Sequence, residues 1–500
     1  MKNLLLFFVL LIFAAPTHAD EVTATHLKTL FTNILSEQQK IIAIDGTTTL
    51  NTKGDITVEE AGKYYAITLP HLSINDSDGG AFDIGIISIN ASPHDANGQW
   101  KMTIALPTPL RITNADTAET IEIHFRSQKA SGIFHEDIQQ FSKFDAAYKN
   151  VKIGRAQNTL NIGNITIKSD MEPDENNRWS GPATIALRNI TTGTGGTKSK
   201  IKIDGIMANF LIDQLDPAMY LQHKNTILAL HDQGAFSSAD KISSATTQKL
   251  AASSFDAITK GMNGFSAKYA ISGIDLTNRK GEKSTIKNTE ITVNAGGFLE
   301  SNKMNFGLGI KYDGFDASSM EQSNKNIIPS KADIGINIKN IPYIELTKIG
   351  QNTLAARAKD EDIGKAIKMA SIGLMFKLPA ILSQAGTSIE IKDNMIGNAL
   401  YTLALNGNIR ADINAAKSAT ANITALFTGL DALMNTLSTT IQDPESTNIG
   451  KFTKLYDRLE RFKSFATSEG KDNYKIDFTL NEQGEMLLNG QDALTAFREK

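Results

Sequence analysis

The chain has 500 residues, 41% hydrophobic and 21% charged, with 51 basic against 54 acidic side chains and no cysteine. The missing thiols exclude disulfides, thiolate metal sites, a Cys nucleophile and a lipid-modified N-terminal Cys. So balanced a charge carries no overall footprint for nucleic acid or for polybasic attachment to anionic membranes.

At the start, Lys2 precedes an unbroken apolar run from Leu4 to Ala15, then Pro16-Thr17-His18-Ala19 before Asp20. That order is the pattern of a secretory signal spanning residues 1–19, with cleavage expected after Ala19. Such a run covers roughly 18 Å as helix against a hydrocarbon core of about 30 Å, so a retained anchor is the weaker reading. The expected mature chain is exported, most simply to a periplasm, and is long enough for two to four domains. A Ser/Ala-rich stretch near 240 divides it into an N-terminal region, 20–240, and a C-terminal region, 241–500.

Helical spacing of Leu27, Leu30, Phe31, Ile34 and Leu35 predicts an amphipathic helix over 22–40, followed by short strands near 41–50, 56–60 and 64–69. Two related units come next, 82–106 and 160–187. Each has an Ile-rich strand, a polar turn containing Pro93 or Pro173, then Trp100 or Trp179 and a closing strand. The copies lie about 80 residues apart, which suggests one supersecondary unit used twice. Asp333 to Ile338 echoes the opening of a third copy without its Trp. Phe134, Ile138 and Phe141 are expected on a short helix within 133–148, and helices are expected over 217–232 and 241–260. In the C-terminal region Met304, Phe306, Leu308 and Ile310 alternate with polar residues and glycine, as do Ile334, Ile336 and Ile338, which predicts half-buried strands. Helices are expected over 343–357 and 361–383, and strands over 388–392 and 399–413. Then come a helix carrying Ile423, Leu426, Phe427, Leu430, Leu433, Met434 and Leu437, a second carrying Phe452 to Phe462, and a closing hairpin from Tyr474 to Asn489. Strands and helices come in groups instead of alternating. The fold class is therefore α+β, with largely antiparallel sheets built from repeated strand-turn-strand units and amphipathic helices on one face.

Chemistry is sparse. No histidine pair has the spacing of a zinc helix, and no Gly-x-Ser-x-Gly elbow occurs. In Thr191 to Lys200 the glycines and lysine are one residue out of phosphate-loop register, because Thr197 separates Gly196 from Lys198. The acidic turn Asp76 to Asp83 lacks the terminal Glu of a calcium loop. No catalytic, cofactor or metal residue is assigned. What remains is apolar surface: Met304, Phe306, Leu308, Ile310, Ile334, Ile336 and Ile338 either close into a core or line a groove for an acyl chain.

The expected signal, the absent cysteine, the Ile-Gly steps and the closing Gly484-Glu485-Met486-Leu487-Leu488-Asn489-Gly490 hairpin together make the chain similar to exported bacterial proteins of the AsmA-like and YdgA-like kind. The resemblance implies a large sheet-rich envelope protein, with some members connected to lipid transport or outer-membrane homeostasis, and implies no catalytic residue. The expected function is binding or scaffolding, with a lipid or an envelope protein as partner and no nucleic acid. The alternatives are a hydrolase using dispersed acidic residues and a surface or adhesive repeat protein.

Overall fold

A computed structural model describes residues 24–96, 98–155, 158–194, 199–236, 244–318, 320, 322–349, 377–443 and 448–493. The expected signal segment lies outside the described residues. The chain forms two compact units, 1–265 and 266–500. The helix expected over 241–260 spans Ser244–Thr259 and belongs to the first of them.

The first unit opens with helix α1 (Ala24–Ile42), whose apolar stripe buries Leu27, Leu30 and Phe31. The strands that follow are β1 (Thr48–Lys53), β2 (Thr57–Ala61), β3 (Tyr64–Thr68), β4 (His71–Asp76), β5 (Ala81–Gly85), β6 (Ser88–Pro93), β7 (Gln99–Ala105), β8 (Leu110–Thr113), β9 (Thr120–His124), β10 (Ser127–His135), β11 (Gln140–Arg155) and β12 (Asn158–Asp170). Two long strands, β13 (Trp179–Thr194) and β14 (Lys200–Leu215), then lead to α2 (Pro217–Asp232) and α3 (Ser244–Thr259).

Strand β11 organises the unit. One of its edges pairs with β12. The other is shared: its first part pairs with β10, and Lys152 to Gly154 pair with β9. From β10 a branch runs through β7, β6, β3 and β2, and from β9 a second runs through β8, β5, β4 and β1. Ile67, Ile89, Trp100 and Met102 from the first branch and Leu72, Ile74, Phe82 and Ile123 from the second meet in one core, joined by α1.

Gly85 lets the chain pass from one branch to the other. Its φ of 80° is costly for any residue with a Cβ, and such a Cβ would also stand 3.0 Å from the Pro107 ring. The run from Phe82 to Ile89, continuous in sequence, is thereby split between β5 and β6. The hairpins of the two Trp units share one feature, for Pro93 lies opposite Trp100 and Pro173 opposite Trp179.

One expectation is corrected here. Residues 133–148 form no helix but the β10–β11 hairpin, in which Phe134 and Phe141 face each other across the strands with rings 5.3 Å apart. Their separation of seven residues fits two helical turns as well as a hairpin, and cross-strand pairing decides it. The tip of this hairpin is interior. Glu136, Ile138 and Gln139 are buried, and Gln139 adopts φ 54°. Glu136 accepts a 2.5 Å hydrogen bond from Trp100 Nε1 and stands 3.0 Å from His26 Nε2 on α1. Gln139 accepts from the buried Lys224 of α2, which also pairs with Glu37 of α1 at 2.7 Å. Burial is the main influence on Lys224 and holds its pKa below the usual lysine value. The Glu136 carboxylate, the Gln139 side-chain oxygen and the Lys224 ammonium persist at this depth because each has a partner, while Gln139 Nε2 has none among the described residues.

The second unit is an antiparallel meander. Its strands are β15 (Gly264–Thr277, beginning in the last residues of the first unit), β16 (Lys283–Gly296), β17 (Met304–Asp313), β18 (Lys331–Ile341), β19 (Ser388–Gly397), β20 (Thr402–Ala411), β21 (Ala419–Thr428), β22 (Asn473–Leu480) and β23 (Met486–Leu488). From β16 to β23 each pairs with the next. Of the two helices expected between β18 and β19, residues 343–349 and 377–385 are helical and 350–376 lie outside the described residues. The turn expected within Thr191 to Lys200 likewise falls partly outside them.

A second correction concerns Ile423, Leu426 and Phe427. They belong to β21, which pairs on both edges, and the helix α4 (Leu430–Gln442) starts only after Gly429. Gly429 has φ 79°, and a Cβ there would fall 2.2 Å from the Leu400 carbonyl oxygen, so the strand-to-helix bend requires glycine at this point. The apolar stripe runs through the bend, and from sequence alone it reads as one long helix. Helix α5 (Ile449–Phe465) then packs against α4.

Candidate functional site

The residues singled out from the sequence meet on one face of β17 and β18. Ile310 lies opposite Ile334, Leu308 opposite Ile336 and Phe306 opposite Ile338; Met304 faces Ile341 beyond a bulge near Asn340, whose φ is 55°. The register extends these pairs into rows. Ile291 of β16 joins Ile310 and Ile334, and Val293 joins Leu308 and Ile336. A third row crosses all seven strands from β16 to β22: Ala295, Phe306, Ile338, Ile389, Ile409, Ala421 and Leu480. At about 4.8 Å per strand step, this row is roughly 29 Å long.

The face is apolar and open. Ile310 is 49% exposed, Ile334 47% and Ile291 41%, with Leu308 and Ile336 above one third. Adjacent large aliphatics at this exposure differ from scattered single exposed residues, which are ordinary. The reverse face is ionic. Lys268 pairs with Glu290 at 2.6 Å, Lys311 with Asp333 at 2.8 Å and Lys339 with Glu390 at 2.7 Å, with Glu290 opposite Lys311 in register. Glycines let polar side chains lie flat there, since a Cβ on Gly307 would stand 2.5 Å from Asn294 Oδ1, and one on Gly309 2.5 Å from Thr292 Oγ1. The Ile-Gly alternation thus encodes an amphipathic sheet, bulky on one side and bare on the other.

One end of the apolar face is covered. Leu430, Leu433 and Leu437 of α4 pack with Tyr401 and Phe427, while Phe452, Leu455, Tyr456, Leu459 and Phe462 of α5 remain half-buried against that cluster. Asp472 fixes the start of α4, accepting from the Asp431 and Ala432 amides at 2.5 and 3.1 Å. Lys463 of α5 reaches Asp431 at 2.5 Å, and Tyr474 donates to the same carboxylate at 2.8 Å. These bonds, Lys463 first and Tyr474 next, hold the Asp431 carboxyl below the usual carboxylate range.

The first unit contains a separate polar cleft of about 860 Å³, lined among others by His135, Asp137, Ser142, Glu172, Trp179 and Asp216. Two of its carboxylates have structural roles: Asp216 caps α2 through the Ala218 amide at 2.9 Å, and Glu172 binds Lys143 at 3.2 Å. His135 Nε2 lies 2.8 Å from Ser142 Oγ, its ring edge-on to Trp179, and burial pushes its pKa below the ordinary imidazole value. That is a buried histidine satisfied by a hydroxyl. Among the described residues no cluster of three or more His, Asp or Glu is placed to hold a metal ion.

Alternation in the sequence marks the β17 and β18 part of the apolar face but not Ile291, Ile389, Ile409 and Leu480. Each stands in an alternating strand, but only cross-strand register aligns them.

Fold and site together define a two-unit, sheet-rich α+β protein with an amphipathic meander. Among known proteins no family model, no curated protein and no solved structure matches this chain. No helix among the described residues is long and apolar enough to cross a membrane.

Proposed function

We propose that this is an exported envelope protein that binds an acyl chain along the open apolar face of its second unit and acts as a carrier or scaffold without catalysing a reaction. The observation that carries this reading is the set of in-register isoleucine and leucine rows left exposed above an ionic reverse face. The exposed rows place Ile291, Ile310, Ile334, Leu308 and Ile336 on three adjacent strands, an apolar patch on which part of an acyl chain can lie. Burial of each methylene is worth about 0.8 kcal/mol, which makes a long chain a strong ligand without any polar contact.

The test is native mass spectrometry of the protein purified from its own envelope, followed by organic extraction. Near-stoichiometric lipid is expected, and Ile310→Asp with Ile334→Asp should abolish its retention. A parent protein that carries no extractable lipid would reject the acyl-chain reading in favour of a protein partner.

A further inference from the structure

The balanced charge of the whole chain conceals a local separation on α5. Lys451, Lys454, Arg458 and Arg461 follow one another at intervals of three, four and three, which places them on one side of the helix over about 15 Å. All four are exposed. The acidic residues of α5, Asp457 and Glu460, fall on the other flank of its polar face. The fifth base nearby, Lys463, turns inward to Asp431. Among the described residues none of the four forms an ion pair, whereas the lysines Lys268, Lys311 and Lys339 on the reverse face of the sheet are each neutralised by a cross-strand carboxylate.

The opposite side of α5 is fixed in place. Its stripe from Phe452 to Phe462 packs on the cluster that closes one end of the apolar face, with the Phe427 and Phe462 rings 5.8 Å apart. The helix thus presents a fixed row of positive charge beside that end of the face.

We infer that the basic stripe of α5 docks the protein on an anionic membrane surface, bringing the covered end of the apolar face against the lipid headgroups. The inference deepens the acyl-chain reading and rests on it for its purpose, though not for its measurement. Each Lys or Arg near an anionic surface is worth about a five-fold change in partitioning, so four acting together are enough for reversible attachment. Such attachment weakens with salt, because the screening length falls from about 10 Å at 0.1 M to about 3 Å at 1 M.

Co-sedimentation of the full chain with vesicles tests it. Binding is expected to phosphatidylglycerol/phosphatidylcholine vesicles, to be absent with phosphatidylcholine alone, and to be lost at high salt. Changing Lys451, Lys454, Arg458 and Arg461 together to Gln should weaken binding by at least about ten-fold. Asp457→Asn with Glu460→Gln should tighten it, a gain that misfolding does not produce. Equal binding to both kinds of vesicle, or no change in either variant, would overturn the inference. Release by inorganic phosphate at matched ionic strength would overturn it too, assigning the stripe to a soluble anion. The lipid content of the parent chain separates the two proposals. If the parent carries bound lipid but does not sediment with anionic vesicles, only the membrane surface is rejected; if Ile310→Asp with Ile334→Asp docks normally but carries no lipid, the stripe acts independently of the apolar face.

Discussion

The two units use the same strand vocabulary to opposite ends. In the first, the shared edge of β11 sends two branches out so that their apolar faces meet, and Ile67, Ile74, Trp100 and Met102 are each about 1% exposed. In the second, the long strands of the same alternating type pair in sequence order from β16 to β23, and Ile310 and Ile334 stay nearly half exposed. Strand alternation alone does not distinguish the regions. A forked sheet supplies its own opposing layer, and a simple meander leaves its apolar face to α4 and α5, which reach one end of it. A core or an open surface thus follows from how the strand edges are shared.

Three measurements sharpen that contrast. The largest effect is expected at Trp100, where truncation to Ala removes a fully buried ring and the Nε1 bond to Glu136. A loss of about 4 kcal/mol is expected for the first unit. Trp100→Phe keeps most of the packing and should cost about 2 kcal/mol, chiefly because the buried Glu136 carboxylate loses the indole donor and keeps only His26. Trp179 remains as a fluorescent reporter within the same unit, so denaturation followed by its emission isolates the effect.

Acidity should separate the units next. Every histidine of the chain lies before residue 232, so the second unit has none. Burial lowers the pKa of both His135 and His223 from 6.5. In the unfolded chain they take up protons near pH 6.5 and in the folded chain only at lower pH, so the unfolded state binds more protons in that window. Stability of the first unit should therefore fall as pH drops below 6.5. Asp431 in the second unit has a carboxyl pKa lowered from 3.8, so its contribution persists until the pH falls below that value. Hydrogen exchange at pH 5 should show the first unit loosened relative to pH 7.5 and the second unchanged. Equal loosening of both would contradict the assignment.

The smallest effect is expected at Ile310. Truncation to Ala on a half-exposed face should cost at most about 1 kcal/mol, against about 3 kcal/mol for Ile74→Ala in the first core. Comparable losses at the two positions would mean that the second face is closed.

Most strands could be read from alternation, because a sheet with one wet face imposes period two on the sequence. The misreadings at 133–148 and 423–427 share one cause. Aromatic and aliphatic residues seven apart, or stripes that cross a glycine bend, satisfy helical spacing while pairing as strands. Phe134 and Phe141 meet across a hairpin, and Phe427 and Leu430 lie on either side of Gly429. The apolar face was legible only within β17 and β18, where bulky residues alternate strictly with Gly or polar ones. Its continuation through Ile389, Ile409 and Leu480 depends on register, which is set by turns and bulges such as that at Asn340 and leaves no periodic trace in sequence. The basic stripe of α5 was hidden for a related reason: net charge averages over surfaces that the fold keeps apart.

The buried hairpin tip imposes an order on assembly. Glu136 and Gln139 reach their native partners only when α1 and α2 are both in place, and the closing contact between Lys224 and Glu37 spans 187 residues. As the chain emerges from a ribosome or a translocation channel, the first unit cannot complete its interior until Lys224 has appeared, long after both branches have been made. The meander is under less constraint of this kind, since most of its strands can add to the one before. The earlier-synthesised half should thus be the slower to mature, and during that delay the polar hairpin tip around Glu136 and Gln139, still without Lys224, is the surface most in need of a chaperone.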